Sequence, residues 1–238
     1  MFWQKSHLLT TILTSGLRLW LTSQLETVEK LQLHLISSDR ELLQGMIPKA
    51  LLKSEFAVYQ GLHFEQISLT AEEICVNLSN LLKGEPLVPL NPIAISGRVQ
   101  MTQTHLNASL ASSLLQSGIQ DFLWLLFKAD SLETFAWEKI TLDPDQFILQ
   151  GKTLSSPATQ VLIAAKLNLN SPQHLLISPI KVEGLPLNQD LEPIEFDLGS
   201  QVHLEEVLHQ KCHISPQHDK LAMCQINNPH HTKGNGKP

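Results

Sequence analysis

The chain has 238 residues, 42% of them apolar and only 17% charged, with a net charge of -6. That length supports a sizeable core. The acidic balance, with no Lys/Arg cluster, excludes a duplex nucleic-acid surface, which must replace phosphate counterions with cations.

"SHLLTTILTSGLRLWLTSQL" opens the chain, and its period predicts an amphipathic helix within residues 1–26. Leu8, Leu9, Ile12, Leu13, Gly16, Leu17, Leu19 and Trp20 fill one half of the wheel; Thr10, Thr11, Thr14, Ser15, Arg18 and Thr22 fill the other. A secretory signal fits poorly, because polar residues interrupt the apolar run and no small-x-small site follows. Two readings remain: a helix docked on a sheet, or one resting partly on lipid with Trp20 near the headgroups. Leu9, Leu13, Leu17 and Trp20 are the candidate lid or membrane-docking residues. No apolar run approaches the roughly 20 residues of a membrane-spanning helix.

From Val28 the period changes to two. "KLQLHL" alternates Leu31, Leu33 and Leu35 with Lys30, Gln32 and His34; "IAISGRVQM" and "VLIAAKLNL" behave alike. Such alternation marks strands with one apolar and one wetter face. "LHFEQISL" changes phase between Phe64 and Ile67, which predicts a bulge near Glu65 and Gln66. Pro172, Pro179, Pro186 and Pro193 belong at strand ends, edges or bulges, since proline cannot donate to a ladder.

"THLNASLASSLLQSGIQDFLWLLF" reads as a second helical region. His105, Ser109, Ser112, Ser113 and Gln116 share a polar face, and Asn107, with Thr104 as its rival, is placed as the N-cap. Gly118 is a candidate break between this half and an all-apolar half, Phe122 to Phe127. A Ser–His pair on one helical face lacks an orienting acid and an oxyanion donor. No G-x-S-x-G elbow occurs in the chain, so no catalytic residue is assigned.

His203, His209, Cys212, His213, His218 and Cys224 match no standard zinc spacing, and no metal or cofactor is expected. Three cysteines are too few for a disulfide framework. Asp143 and Asp145 in "DPD" read as a turn, and "LLKGEPL" lacks the phosphate-loop pattern. Helices are not interleaved with strands one for one. The expectation is therefore an α+β domain over residues 1–226 with a mostly antiparallel sheet, followed by a disordered polar tail over 227–238.

Several phrases together resemble the LmeA-like phospholipid-binding family: "RLWLTSQLETVEKLQL", "SSDRELLQGMIPKALL", "AVYQGLHFEQISL", "NLLKGEPL" and "THLNASLASSLL". The resemblance runs from about Leu17 to Leu208, and the cyanobacterial-type members are the most similar. It implies a non-enzymatic lipid binder, similar in fold to the tubular lipid-binding proteins, with a long curved antiparallel sheet wrapping amphipathic and apolar helices around an apolar groove. Those members lack a secretory leader, so a cytoplasmic, membrane-peripheral location is the expectation. The family tends to have an acid where this chain has His105 and a base where it has Glu85.

If the aliphatic interior is not fully packed, acyl chains can fill it at about 0.8 kcal/mol per buried CH2. The candidate lining is Leu110, Leu114, Leu123, Trp124, Leu126 and Phe127, and the expected partner is phospholipid or a membrane surface. The alternative is a scaffold or assembly factor that docks a partner protein through its apolar helices.

Overall fold

A computed structural model describes residues 8–77, 89–127, 134–143, 146–184, 189–197 and 220–226. The fold is α+β, as expected, and its antiparallel strands are divided between two sheets.

The first sheet has the order β1-β2-β3-β4-β11. Its strands are β1 (Lys30–Ile36), β2 (Met46–Tyr59), β3 (Leu62–Cys75), β4 (Ala94–Thr102) and β11 (Lys220–Ile226). The long pair β2 and β3 is joined by Gln60 and Gly61, both at positive φ (48° and 75°), the backbone of a type I′ hairpin turn. A side chain at Gly61 would also press on Ser112, whose Cα lies 3.2 Å from the Cβ position.

The bulge expected at Glu65 and Gln66 is absent. The β2–β3 register runs without a shift from Met46↔Cys75 to Tyr59↔Leu62. The irregularity lies across the ladder, where Phe56, opposite Glu65, adopts φ 47°. That left-handed residue turns the strand, so Ser54 and Ala57, three apart, are both buried. The phase change read in the sequence is therefore real, but it comes from a backbone twist and not from an inserted residue.

The second sheet has the order β10-β8-β7-β6-β5, with β9 beside β8. Its strands are β5 (Phe135–Leu142), β6 (Phe147–Thr153), β7 (Gln160–Ser171), β8 (His174–Glu183), β9 (Gln189–Leu191) and β10 (Ile194–Asp197). Pro172 sits in the β7–β8 turn, and Pro179 lies at a register shift where Ala165 pairs Ile180 but Leu167 pairs Ile177. A residue without an N–H is tolerated at such a bulge.

Helix α1 (Leu8–Gln24) packs on β1 and on the short α2 (Asp39–Leu43). Ser38 and Glu41 close a capping box at the start of α2. The Asp39 carboxylate then reaches across to accept from the Thr10 N–H and hydroxyl, at 3.3 and 3.2 Å. It thereby places an acid in the first turn of α1, which has none of its own. Leu13, Leu42, Ile47, Ile74 and Val76 form the core beneath.

After β4 come α3 (Gln103–Ala108), one 3-10 turn (Ser109–Ala111) and α4 (Ser113–Phe127). Two sequence expectations are corrected here. The N-cap is Thr102, not Asn107 or Thr104: its hydroxyl accepts from the His105 N–H, and the His105 ring faces the Thr102 backbone N–H and hydroxyl. His105 thus stands at the capping-box position that a carboxylate ordinarily fills. The break falls at Ser112, whose backbone is extended (ψ 131°), and α4 passes Gly118 unbroken.

The second core joins Ile119, Leu123 and Leu126 of α4 to Ile140, Leu149, Val161, Ile163, Ala165, Ile177, Ile180 and Val182 of the second sheet.

Candidate functional site: an apolar sheet face

The register of the first sheet aligns three rows of side chains on one face, because cross-strand partners point the same way. The rows are Leu31–Ser54–Ile67–Val99, Leu33–Leu52–Leu69–Gly97 and Leu35–Ala50–Ala71–Ile95. The third row packs against the first core through Leu35, Ala50 and Ala71. In the other two, Leu31 and Ser54 are buried, whereas Leu33, Leu52, Ile67, Leu69 and Val99 are only half-buried and belong to neither core among the described residues. This strip is about 14 Å across four strands and, two residues deep on each, about 7 Å along them. Covering roughly 100 Å² of apolar surface contributes about 2.5 kcal/mol, and about half that where the surface is already half shielded.

α1 divides its apolar half. Leu13 is buried and Leu17 packs beside it in the first core. Leu9, Ile12, Leu19 and Trp20 stay outside, with Ile12 68%, Leu19 73% and Trp20 57% exposed. On a 3.6-residue wheel these four span an arc of about 100°. The residues expected to dock or close a site are therefore split between anchoring the helix and facing outward.

α4 divides the same way. Leu123 is fully buried and Leu126 nearly so, while Phe127, and Leu110 of the preceding 3-10 turn, pack against the same core. Leu114 and Trp124 are exposed, with Leu125 beside them. Sequence reasoning placed the candidate lining on helices alone. The half-buried strand residues Leu52, Ile67 and Leu69 were not among the candidates, although the alternation that puts Leu33 and Val99 on one apolar face was visible.

Three polar residues of the 104–127 stretch, Asn107, Ser109 and Ser112, are structural connectors. Ser109, fully buried, accepts from the His63 N–H at 2.8 Å and donates to the His105 carbonyl. Ser112, also buried, donates to the Gln60 carbonyl at 2.8 Å. Asn107 spans to the edge strand of the second sheet: its amide donates to the Ile140 carbonyl at 2.7 Å and accepts from the Ile140 N–H at 2.8 Å. Gln103 accepts from the Leu142 N–H. One short segment thus ties the hairpin tip of the first sheet to β5 of the second, and the hydroxyls of Ser109 and Ser112 are committed to backbone groups. Phe56 adds a ring contact to His105, 6.1 Å between centroids.

Tyr59 finishes β2, accepting a hydrogen bond from the Gln60 side chain. Asp143 bonds through its N–H to the Gln146 carbonyl in the β5–β6 connection. The "LLKGEPL" loop, Asp145, the histidines from His203 to His218 with Cys212, and the tail lie outside the described residues. Among the described residues no three His, Cys, Asp or Glu side chains gather as a metal site requires, and no helix is long and apolar enough to cross a membrane.

The described architecture is thus α+β, with a half-covered apolar sheet face and helices that carry exposed aliphatic side chains. The model of the LmeA-like phospholipid-binding family matches residues 6–210, and the chain belongs to that family. Searches of curated proteins and of solved structures return no match.

Proposed function

We propose that the protein binds phospholipid, with acyl chains lying along the Leu33–Leu52–Leu69 strip of the first sheet. The observation that carries this reading is a continuous aliphatic strip, Leu33–Leu52–Leu69, that neither core closes over among the described residues. No covalent chemistry is involved; each CH2 laid on the strip adds about 0.8 kcal/mol. Leu114 and Trp124 on α4 offer further exposed apolar surface, while Leu110, Leu123, Leu126 and Phe127 are packed in the second core. α1 is the docking element: Leu13 and Leu17 hold it, and Leu9, Ile12, Leu19 and Trp20 enter the interfacial layer of a membrane, where Trp is favoured. Docking by an interfacial helix makes the protein membrane-peripheral and allows transfer of the lipid it holds.

The test is purification without detergent followed by lipid extraction and vesicle sedimentation. Co-purifying phospholipid and sedimentation with vesicles support the reading. Lipid-free protein that ignores vesicles and holds one stoichiometric protein partner would transfer the same apolar faces to a scaffold role.

A further inference from the structure

The opposite face of the first sheet carries a second feature. Its rows are Lys30–Glu55–Gln66–Gln100, Gln32–Lys53–Ser68–Arg98, His34–Leu51–Thr70–Ser96 and Ile36–Lys49–Glu72–Ala94. Both carboxylates in these rows are engaged: Glu55 pairs Lys30, and Glu72 pairs Lys49 at 2.8 Å. The Glu55 bond and charge hold the Lys30 ammonium above its usual range. Lys53 and Arg98 are left on either side of Ser68, both exposed and neither in an ion pair among the described residues. A depression of about 340 Å³ opens here, lined by Gln66, Ser68, Thr70, Ser96, Gly97, Arg98 and Gln100. The lining contains hydroxyls, carboxamides and one guanidinium, with no carboxylate.

We propose that this depression binds a phosphate group. Adjacent strands lie about 4.8 Å apart, so the Lys53 and Arg98 backbones stand about 10 Å apart with Ser68 between them. Arg98 lines the depression, and Lys53, across Ser68 in the same row, flanks it as a long flexible cation within reach of an anion held there. Arg98 offers the planar fork that fits two phosphate oxygens. Ser68, Thr70 and Ser96 supply hydroxyls, and Gln66 and Gln100 supply amides, for the remaining oxygens. A carboxylate presents only two oxygens and leaves most of these donors unused. In a chain of net charge -6 such a local cationic row is the exception, and it draws an anion to one place. The phosphate belongs either to a lipid headgroup or to a free phosphate compound. The site is on the face opposite the aliphatic strip, so it stands or falls independently of acyl-chain binding.

The experiment is an amide NMR titration of the full chain at constant ionic strength. The probes are inorganic phosphate, glycerol 3-phosphate, and vesicles of phosphatidylcholine with or without phosphatidylglycerol. Saturable shifts confined to residues 66–70 and 96–100 are expected. K53Q and R98Q should each weaken binding about tenfold, the loss expected for a charge-assisted contact, and both side chains are exposed enough that folding is unaffected. Shifts from the soluble phosphates that vesicles leave unchanged assign a free phosphate compound. Shifts from, or displacement by, phosphatidylglycerol vesicles alone assign a headgroup. No saturable shift with any probe, equal shifts from chloride, or shifts that persist in the K53Q/R98Q double variant overturn the proposal.

Discussion

Asn107→Ala removes the side chain that fastens α3 to β5 of the second sheet. Three hydrogen bonds go with it: 2.7 and 2.8 Å to the two backbone groups of Ile140, and 2.7 Å to the Gln103 carbonyl. A hydrogen bond contributes about 1 kcal/mol net, and a buried group left unpaired costs about 1–3 kcal/mol. Ile140 is 8% exposed and lies on the edge strand, so water replaces only part of what is lost. The expected destabilisation is about 2–4 kcal/mol, a fall in Tm on the order of 5–12 °C for a chain this long. Urea unfolding with an unchanged slope measures it, and the Ile140 amide should lose hydrogen-exchange protection before the central strands do. Asn107→Asp retains an acceptor for the Ile140 N–H but sets a carboxylate oxygen against two carbonyls; it should destabilise at least as much at neutral pH. An Asn107→Ala protein within about 0.5 kcal/mol of the parent, the range of an uninvolved surface change, would refute the latch.

Leu123→Ala opens a cavity at a fully buried position and should cost about 3 kcal/mol by urea unfolding. The double change Ile12→Glu/Trp20→Glu should shift stability by less than about 1 kcal/mol, because both side chains project outward, yet it should sharply reduce sedimentation with vesicles. Unchanged sedimentation would remove α1 from the docking role. His105→Ala should cost about 1 kcal/mol through loss of the capping box, whereas His105→Glu should be close to neutral, since a carboxylate accepts from the same Thr102 groups.

The strands were legible because a half-buried strand writes its two faces into alternate residues. Leu31, Leu33 and Leu35 are on one face in the sequence and in the sheet. The α+β class followed from the order of elements, and the family from phrases that span most of the chain. What stayed hidden depends on partners distant in sequence. The Asn107 bonds reach 33 residues, those of Ser109 and Ser112 reach 46 and 52, and no local pattern distinguishes such a connector from a cap or a solvated polar face. The left-handed turns at Phe56 and Glu73 were hidden as well, because neither residue type favours positive φ. The candidate site was half legible. Apolar helices announce themselves by all-round hydrophobicity, but which of their residues face the core and which face outward is decided by the sheet they meet.

The most direct test of the central claim uses a phospholipid with a photoreactive group on its acyl chain, followed by mass-spectrometric mapping of the crosslinks. Label concentrated on β1 to β4, at Leu33, Leu52, Ile67, Leu69 and Val99, is the predicted result, with competition by unlabelled lipid. Label restricted to the outer faces of α1 and α4, or no competable label on protein that purifies without lipid, contradicts it.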